Sequence, residues 1–147
     1  MMSMTTPSAG QKHPVLILLI MLVFSMGAQA ETRGVAFHLD RLDHMNRSIL
    51  QVSRHLQGNT NTPVTVVFIG DAVHALLDGA VDSHGGAYSA QLEQLLAQGA
   101  ELYACSNTLD SLAKTNADLI LGAETVPSGI AELGRLQVEE DYGYIKL

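Results

Sequence analysis

Cysteine occurs once in these 147 residues, at position 105, and tryptophan not at all. A single thiol rules out an intramolecular disulfide and any CxxC-type zinc or redox site. Charge is thin as well: Asp, Glu, Lys and Arg make up 16% of the chain against 47% hydrophobic residues. Soluble domains usually carry roughly 25% charge, so a wholly disordered chain is not expected. Eight basic residues against fifteen acidic ones, a net charge of −7 with no basic cluster, argue against a nucleic-acid surface. The glycines form no GxGxxG, GxxxxGK[ST] or GxSxG pattern. Dinucleotide binding, P-loop and α/β-hydrolase readings therefore lack their residues, and no cofactor is expected. What is present fits one small acidic globular domain.

The first thirty residues differ from the rest. Met1–His13 is polar, with Lys12 as its one fixed positive charge, and Val15–Met26 is an unbroken apolar run apart from Ser25. That run matches a signal-peptide core and falls short of the ~20 residues a membrane span needs. Ala28-Gln29-Ala30 supplies a small-x-small cleavage site. Residues 1–30 read as a cleavable secretory signal, with an uncleaved anchor or a core helix as the alternative. The mature chain would begin near Glu31, act in the periplasm and have no membrane association once the signal is removed. It would keep seven Lys and Arg and fifteen acids, a net charge of −8. About 117 residues can bury roughly two thirds of their extended surface, enough for a single core over 31–147. One unpaired cysteine in an oxidising compartment asks for an explanation.

Strand and helix patterns then alternate. Gly34–Asp40 is a β-branched and aromatic run, and Val64–Ile69 is nearly all apolar, as in a strand covered on both faces. Between them Leu42, Met45, Ile49, Val52 and Leu56 recur at helical steps, while Arg41, Asn46, Arg47 and Gln51 face away. Asp71–Leu77 reads as a short helical or irregular stretch and Asp78–Gly86 as a mobile loop. These two segments are where an apolar assembly patch could lie. Tyr88, Leu92, Leu95 and Leu96 give a second helical stripe closed by Gly99, and Glu101–Cys105 a third strand. Asn107 as N-cap, with Asp110 three residues on, predicts a helix reaching about Asn116. An extended segment near Leu119–Val126 leads to a helix opened by Pro127-Ser128, with Ile130, Leu133 and Leu136 inside, and Tyr142–Lys146 is a terminal strand. The alternation predicts an α/β fold of three layers, a mostly parallel open sheet with helices on both faces.

Cys105 is the strongest candidate for chemistry. It falls where the third strand hands over to a helix, and carboxyl ends of strands are where open α/β sheets build sites. Helix N–H groups favour the thiolate, and one thiol is enough to carry a persulfide. The alternative is a buried thiol used as a small apolar residue. His38 and Asp40 share one face of the first strand, with Asp43 and His44 just beyond, so the cluster fits metal binding, acid–base work or, more plainly, cap and edge residues facing water. His74 and His84 flank the loop, and no metal site is expected. Ser128 can cap the last helix while Gly129 lets a small anion approach its N-terminus.

Three stretches together resemble the DsrE/DsrF-like family, which has the YchN-like α/β fold: VAFHLD at Val35–Asp40, YACSNTL at Tyr103–Leu109, and VPSGIAELGRLQ at Val126–Gln137 followed by YGYIK at Tyr142–Lys146. The resemblance spans the mature chain and is most specific in its last third. It implies a subunit that assembles into homo-oligomers, trimers or hexamers, and sulfur relay as a persulfide on a cysteine in the place of Cys105. In that reading Thr108, Asn107, Ser128 and Gly129 would bind, His38 would move a proton, and a donor or acceptor protein or a small persulfide would be the partner. A non-catalytic oligomeric ligand-binding or accessory protein is the alternative. Exported members often carry His-Gly after the second strand; here Ile69-Gly70 stands there, so that histidine has no counterpart.

Overall fold

The computed structural model describes residues 33–147, and the expected signal over residues 1–30 lies outside the described residues. Strands β1 (Val35–Leu39), β2 (Val64–Phe68), β3 (Ala100–Cys105), β4 (Ala123–Val126) and β5 (Gly143–Lys146) form one sheet in the order β4-β3-β2-β1-β5. Every neighbouring pair is parallel. Helices α1 (Met45–Gly58), α2 (Tyr88–Ala97), α3 (Ser106–Ser111) and α4 (Gly129–Glu139) make the connections, with 3-10 turns at Gly70–Leu76 and Asn116–Asp118.

Alternation along the strands divides the sheet's two faces. Phe37, Leu39, Val64, Val66, Phe68, Leu102 and Ala104 join Met45, Ile49, Val52 and Leu56 of α1 and Leu92 and Leu95 of α2 in the main core. Ala36 and Val67 point the other way and pack beneath Leu133 and Leu136 of α4. The central strand β2 is buried along its whole length, as its β-branched sequence requires. Helix α1 places its stripe inward as expected, with Arg41, Asn46, Arg47 and Gln51 exposed.

The first four strands step across the sheet in chain order, but α4 carries the chain back over the opposite face to set β5 beside β1. The strand order therefore reverses between β1 and β5. At such a switch point the connections leave to opposite faces and open a crevice at the carboxyl ends.

Several expectations need correction. Helix α3 begins at Ser106, with Cys105 itself in the cap position and Asn107 inside the first turn. It ends at Ser111 rather than Asn116, because Ala113 turns left-handed (φ 52°) and the Lys114 N–H closes on the Leu109 carbonyl. Thr115 and Asp118 then make a reciprocal capping box that starts the next 3-10 turn. Ile130 is 62% exposed, not inward: α4 docks through Gly129, Leu133 and Leu136, which turns its neighbour to the rim. Ala72, Val73, Ala75 and Leu76 are fully buried in the core, so the Gly70–Leu76 turn presents no apolar assembly patch. Within the Asp78–Gly86 segment, Asp82 Oδ1 accepts from the His84 and Gly86 N–H groups and its Oδ2 accepts from the Asn46 side chain of α1.

Candidate functional site

Cys105 ends β3 and opens α3, its backbone extended at φ −71° and ψ 115°. Its neighbours Leu102 and Ala104 face the main core, so the pleat turns the thiol to the face that α4 covers. Two loops meet there. The Ser106–Thr108 turn brings the N–H groups of Asn107 and Thr108 and the Thr108 hydroxyl to the sulfur, and α4 brings the N–H of Gly129. Burial pushes the thiol pKa up, but these four donors more than offset it and hold the pKa below its ordinary value.

Each donor has a sequence reason. Pro127 forces an extended entry, and the Ser128 Oγ caps α4 by accepting from the Ala131 N–H at 3.4 Å. Gly129 follows in a place where no side chain fits, since a Cβ would lie 2.6 Å from Ile69 Cγ1 and 3.1 Å from Val67 Cγ1. Only glycine lets the helix start this close to the sheet. The Thr108 Oγ1 accepts from the Gly70 N–H at 3.2 Å, which leaves its own proton for the sulfur. Gly70 turns left-handed (φ 58°) to make that contact.

A groove of about 440 Å³ opens onto this point, lined by Cys105, Asn107, Thr108, Ser111, Ser128 and Ile130 with Ile69, Gly70, Asp71, His74 and Leu112. Cys105 is 4% exposed and sits at its floor. Asn107, Thr108, Ser128 and Gly129 are thus gathered at the thiol. His38 is not. It lies on β1, two strands from β3, in register with Val67 of β2 and Tyr103 of β3, and Cys105 stands two residues further along, roughly 12 Å away in backbone terms. Its Nδ1 is hydrogen-bonded to the Tyr144 hydroxyl at 2.8 Å.

The imidazole the groove does present belongs to His74. Sequence reasoning placed His74 only beside a loop, because the phase of a short 3-10 turn leaves no periodic signal. Gly70 was equally invisible as a donor, although a glycine directly after a buried strand was the available clue. His84 stays in the Asp82 turn, with Asp43 on Arg41 at 2.6–3.0 Å. Among the described residues, no three His, Cys, Asp or Glu side chains gather as a metal ion would require.

A parallel α/β sheet with one thiol held by backbone donors at its strand ends defines the class structurally. The family follows from sequence: the chain belongs to the DsrE/DsrF-like family, whose profile matches residues 19–147. That family is linked to sulfur relay. Among solved structures, a Methanobacterium thermoautotrophicum protein of unknown function, MTH1491, is 30% identical with a TM-score of 0.66, covering 78% of this chain and 99% of its own. The Escherichia coli YchN protein has a TM-score of 0.67 over the same shares, at 19% identity, and shows the shared fold. The sequence matches no curated protein.

Proposed function

We propose that this protein carries sulfane sulfur as a persulfide on Cys105. The observation that carries the reading is a thiol lining an open groove with the N–H groups of Asn107, Thr108 and Gly129 and the Thr108 hydroxyl turned toward it. In the first step the Cys105 thiolate attacks the terminal sulfur of a persulfide R–S–SH. The S–S bond breaks, R–S⁻ leaves with the bonding electrons, and Cys105–S–SH remains. In the second step an acceptor thiolate attacks that outer sulfur and Cys105 leaves as thiolate, stabilised by the same donors.

The export signal read in residues 1–30 supports a periplasmic site of action, with assembly into homo-oligomers as the family resemblance implies. The donor is a small persulfide or a partner protein. Ile69, Leu112 and Ile130 give the groove an apolar wall, and His74 and Asp71 supply its titratable groups.

Incubation of the folded domain with inorganic polysulfide, followed by intact mass, tests the reading. One added sulfur of about 32 Da, removed by cyanide and absent from Cys105→Ser, is the expected outcome. No adduct on a protein whose thiol alkylates normally would refute it.

A further inference from the structure

Four polar side chains meet at the carboxyl ends of β1 and β5, on the face shared with α4 and away from the Cys105 groove. Register places Lys146 opposite His38 and Tyr144 opposite Ala36, so the pleat sends Tyr144, Lys146 and His38 to one side. Asp40 continues that side beyond β1 and binds the Lys146 Nζ through Oδ2 at 2.5 Å. The place is the switch point of the sheet, where an open α/β fold has room for a site.

The exposure of the four is graded. Tyr144 is 42% exposed, whereas His38 is 6% exposed and holds the tyrosine hydroxyl on Nδ1. Two atoms behind it are buried without a protein partner among the described residues, His38 Nε2 and Asp40 Oδ1. Buried polar atoms in folded proteins seldom go unpaired. A hydroxyl proton donated to Nδ1 makes Nε2 the protonated nitrogen, a donor, and Asp40 Oδ1 is an acceptor of matching sign. Asp40 stands two residues along the chain from His38, just past the end of β1, and the two atoms do not bond each other directly, so a water between them would pair both.

We propose that Tyr144 is a second reactive centre, an acyl-acceptor phenol with His38 as its general base and Asp40 as the residue that positions that base. The order is an exposed nucleophile, a buried imidazole and a buried carboxylate oxygen, the logic of a nucleophile–base–orienter relay. The phenol oxygen bonds to the carbonyl carbon of an activated acyl donor, its proton passes to His38 Nδ1, and the donor's leaving group departs with its electron pair. His38 then returns the proton to that leaving group or to water. Lys146 contributes positive charge beside the developing phenolate. Burial keeps His38 neutral to a lower pH than an ordinary histidine, with Asp40 opposing and Lys146 reinforcing that effect. The base form is therefore the resting state at neutral pH.

N-acetylimidazole is the probe, with O-acetyltyrosine quantified by peptide mass spectrometry and distinguished from acetyl-lysine by its removal with hydroxylamine. Tyr103 and Tyr142 are internal controls, since burial and nearby acids raise both phenols, Tyr103 to about 12. General-base assistance contributes on the order of 10²–10⁴-fold. Tyr144 should therefore acetylate at least about tenfold faster in the native protein than in the urea-unfolded chain, the rate bending downward as His38 protonates below pH 6.5. His38→Gln should bring it to the unfolded-chain rate, and Asp40→Asn should shift the bend. A native rate within twofold of the unfolded chain, or no change in folded His38→Gln, would overturn the proposal. Should that variant fail to fold, a wild-type rate with no bend between pH 5 and 8 overturns it equally.

Discussion

Thr108 shows how much one side chain does in this protein. Its hydroxyl accepts from the Gly70 N–H and faces Cys105, so it joins the β2 exit loop to the surroundings of the thiol. Thr108→Val keeps the shape and removes both the Gly70 bond and the polar group that faces the sulfur. The thiol pKa should rise, alkylation at pH 7 should slow severalfold, and stability should fall by about 1 kcal/mol in urea titration. Gly129→Ala attacks the same site from the helix side. Its Cβ would collide with Ile69 and Val67, so a loss of about 1–3 kcal/mol and a slower thiol are expected together. Cys105 itself was legible in the sequence as a strand-end thiol. Its donors were legible only in part, since Thr108 and Gly129 lie near in sequence or motif while Gly70 arrives through tertiary packing.

Among the elements, periodicity served well wherever a stripe was long. Helix α1 and strand β2 lie where Met45–Leu56 and Val64–Phe68 predict, because burial of one face, or of both, leaves a strong repeat. Short elements escaped it. Helix α3 has six residues, too few for a stripe, and the backbone at Ala113 that ends it is a local conformation no hydrophobic pattern encodes. That position offers a test. A left-handed alanine costs about 1–2 kcal/mol, and glycine returns about 0.4–1 kcal/mol of that through the unfolded chain. Ala113→Gly should raise the unfolding free energy by a net ~0.5–1 kcal/mol and move the urea midpoint upward. An unchanged midpoint would mean the turn is held by Lys114 and Asp118 alone. The strand β5 was predicted as an element, yet its place beside β1 was not, because all four of its residues are exposed and carry no packing signal.

For the molecule as a whole, pH dependence follows from β1. Folding lowers the pKa of His38 by burial, so the folded state binds fewer protons than the unfolded one. The associated stability is complete above 6.5, the ordinary value, and is lost as pH falls through the lowered one. Asp40, lowered first by its Lys146 hydrogen bond, adds a second loss below 3.8. Melting temperature measured from pH 8 to 5 should fall more steeply for the wild type than for His38→Gln. Equal slopes would place His38 outside the acid transition. The parallel sheet and the family were readable from β–α alternation and three motifs, and the structure bears out the first and the family profile the second. What the sequence hid was the return of the chain over the second face, and, separately, that β2 stands between the strands of His38 and Cys105.

The central claim is that Cys105 is a working thiol despite its burial. The most direct measurement is the rate of iodoacetamide alkylation of the folded domain against pH. The account predicts native labelling with an inflection below the ~8.5 of a free thiol, moving upward in Thr108→Val. Labelling that appears only after denaturation would make Cys105 a core residue and contradict it.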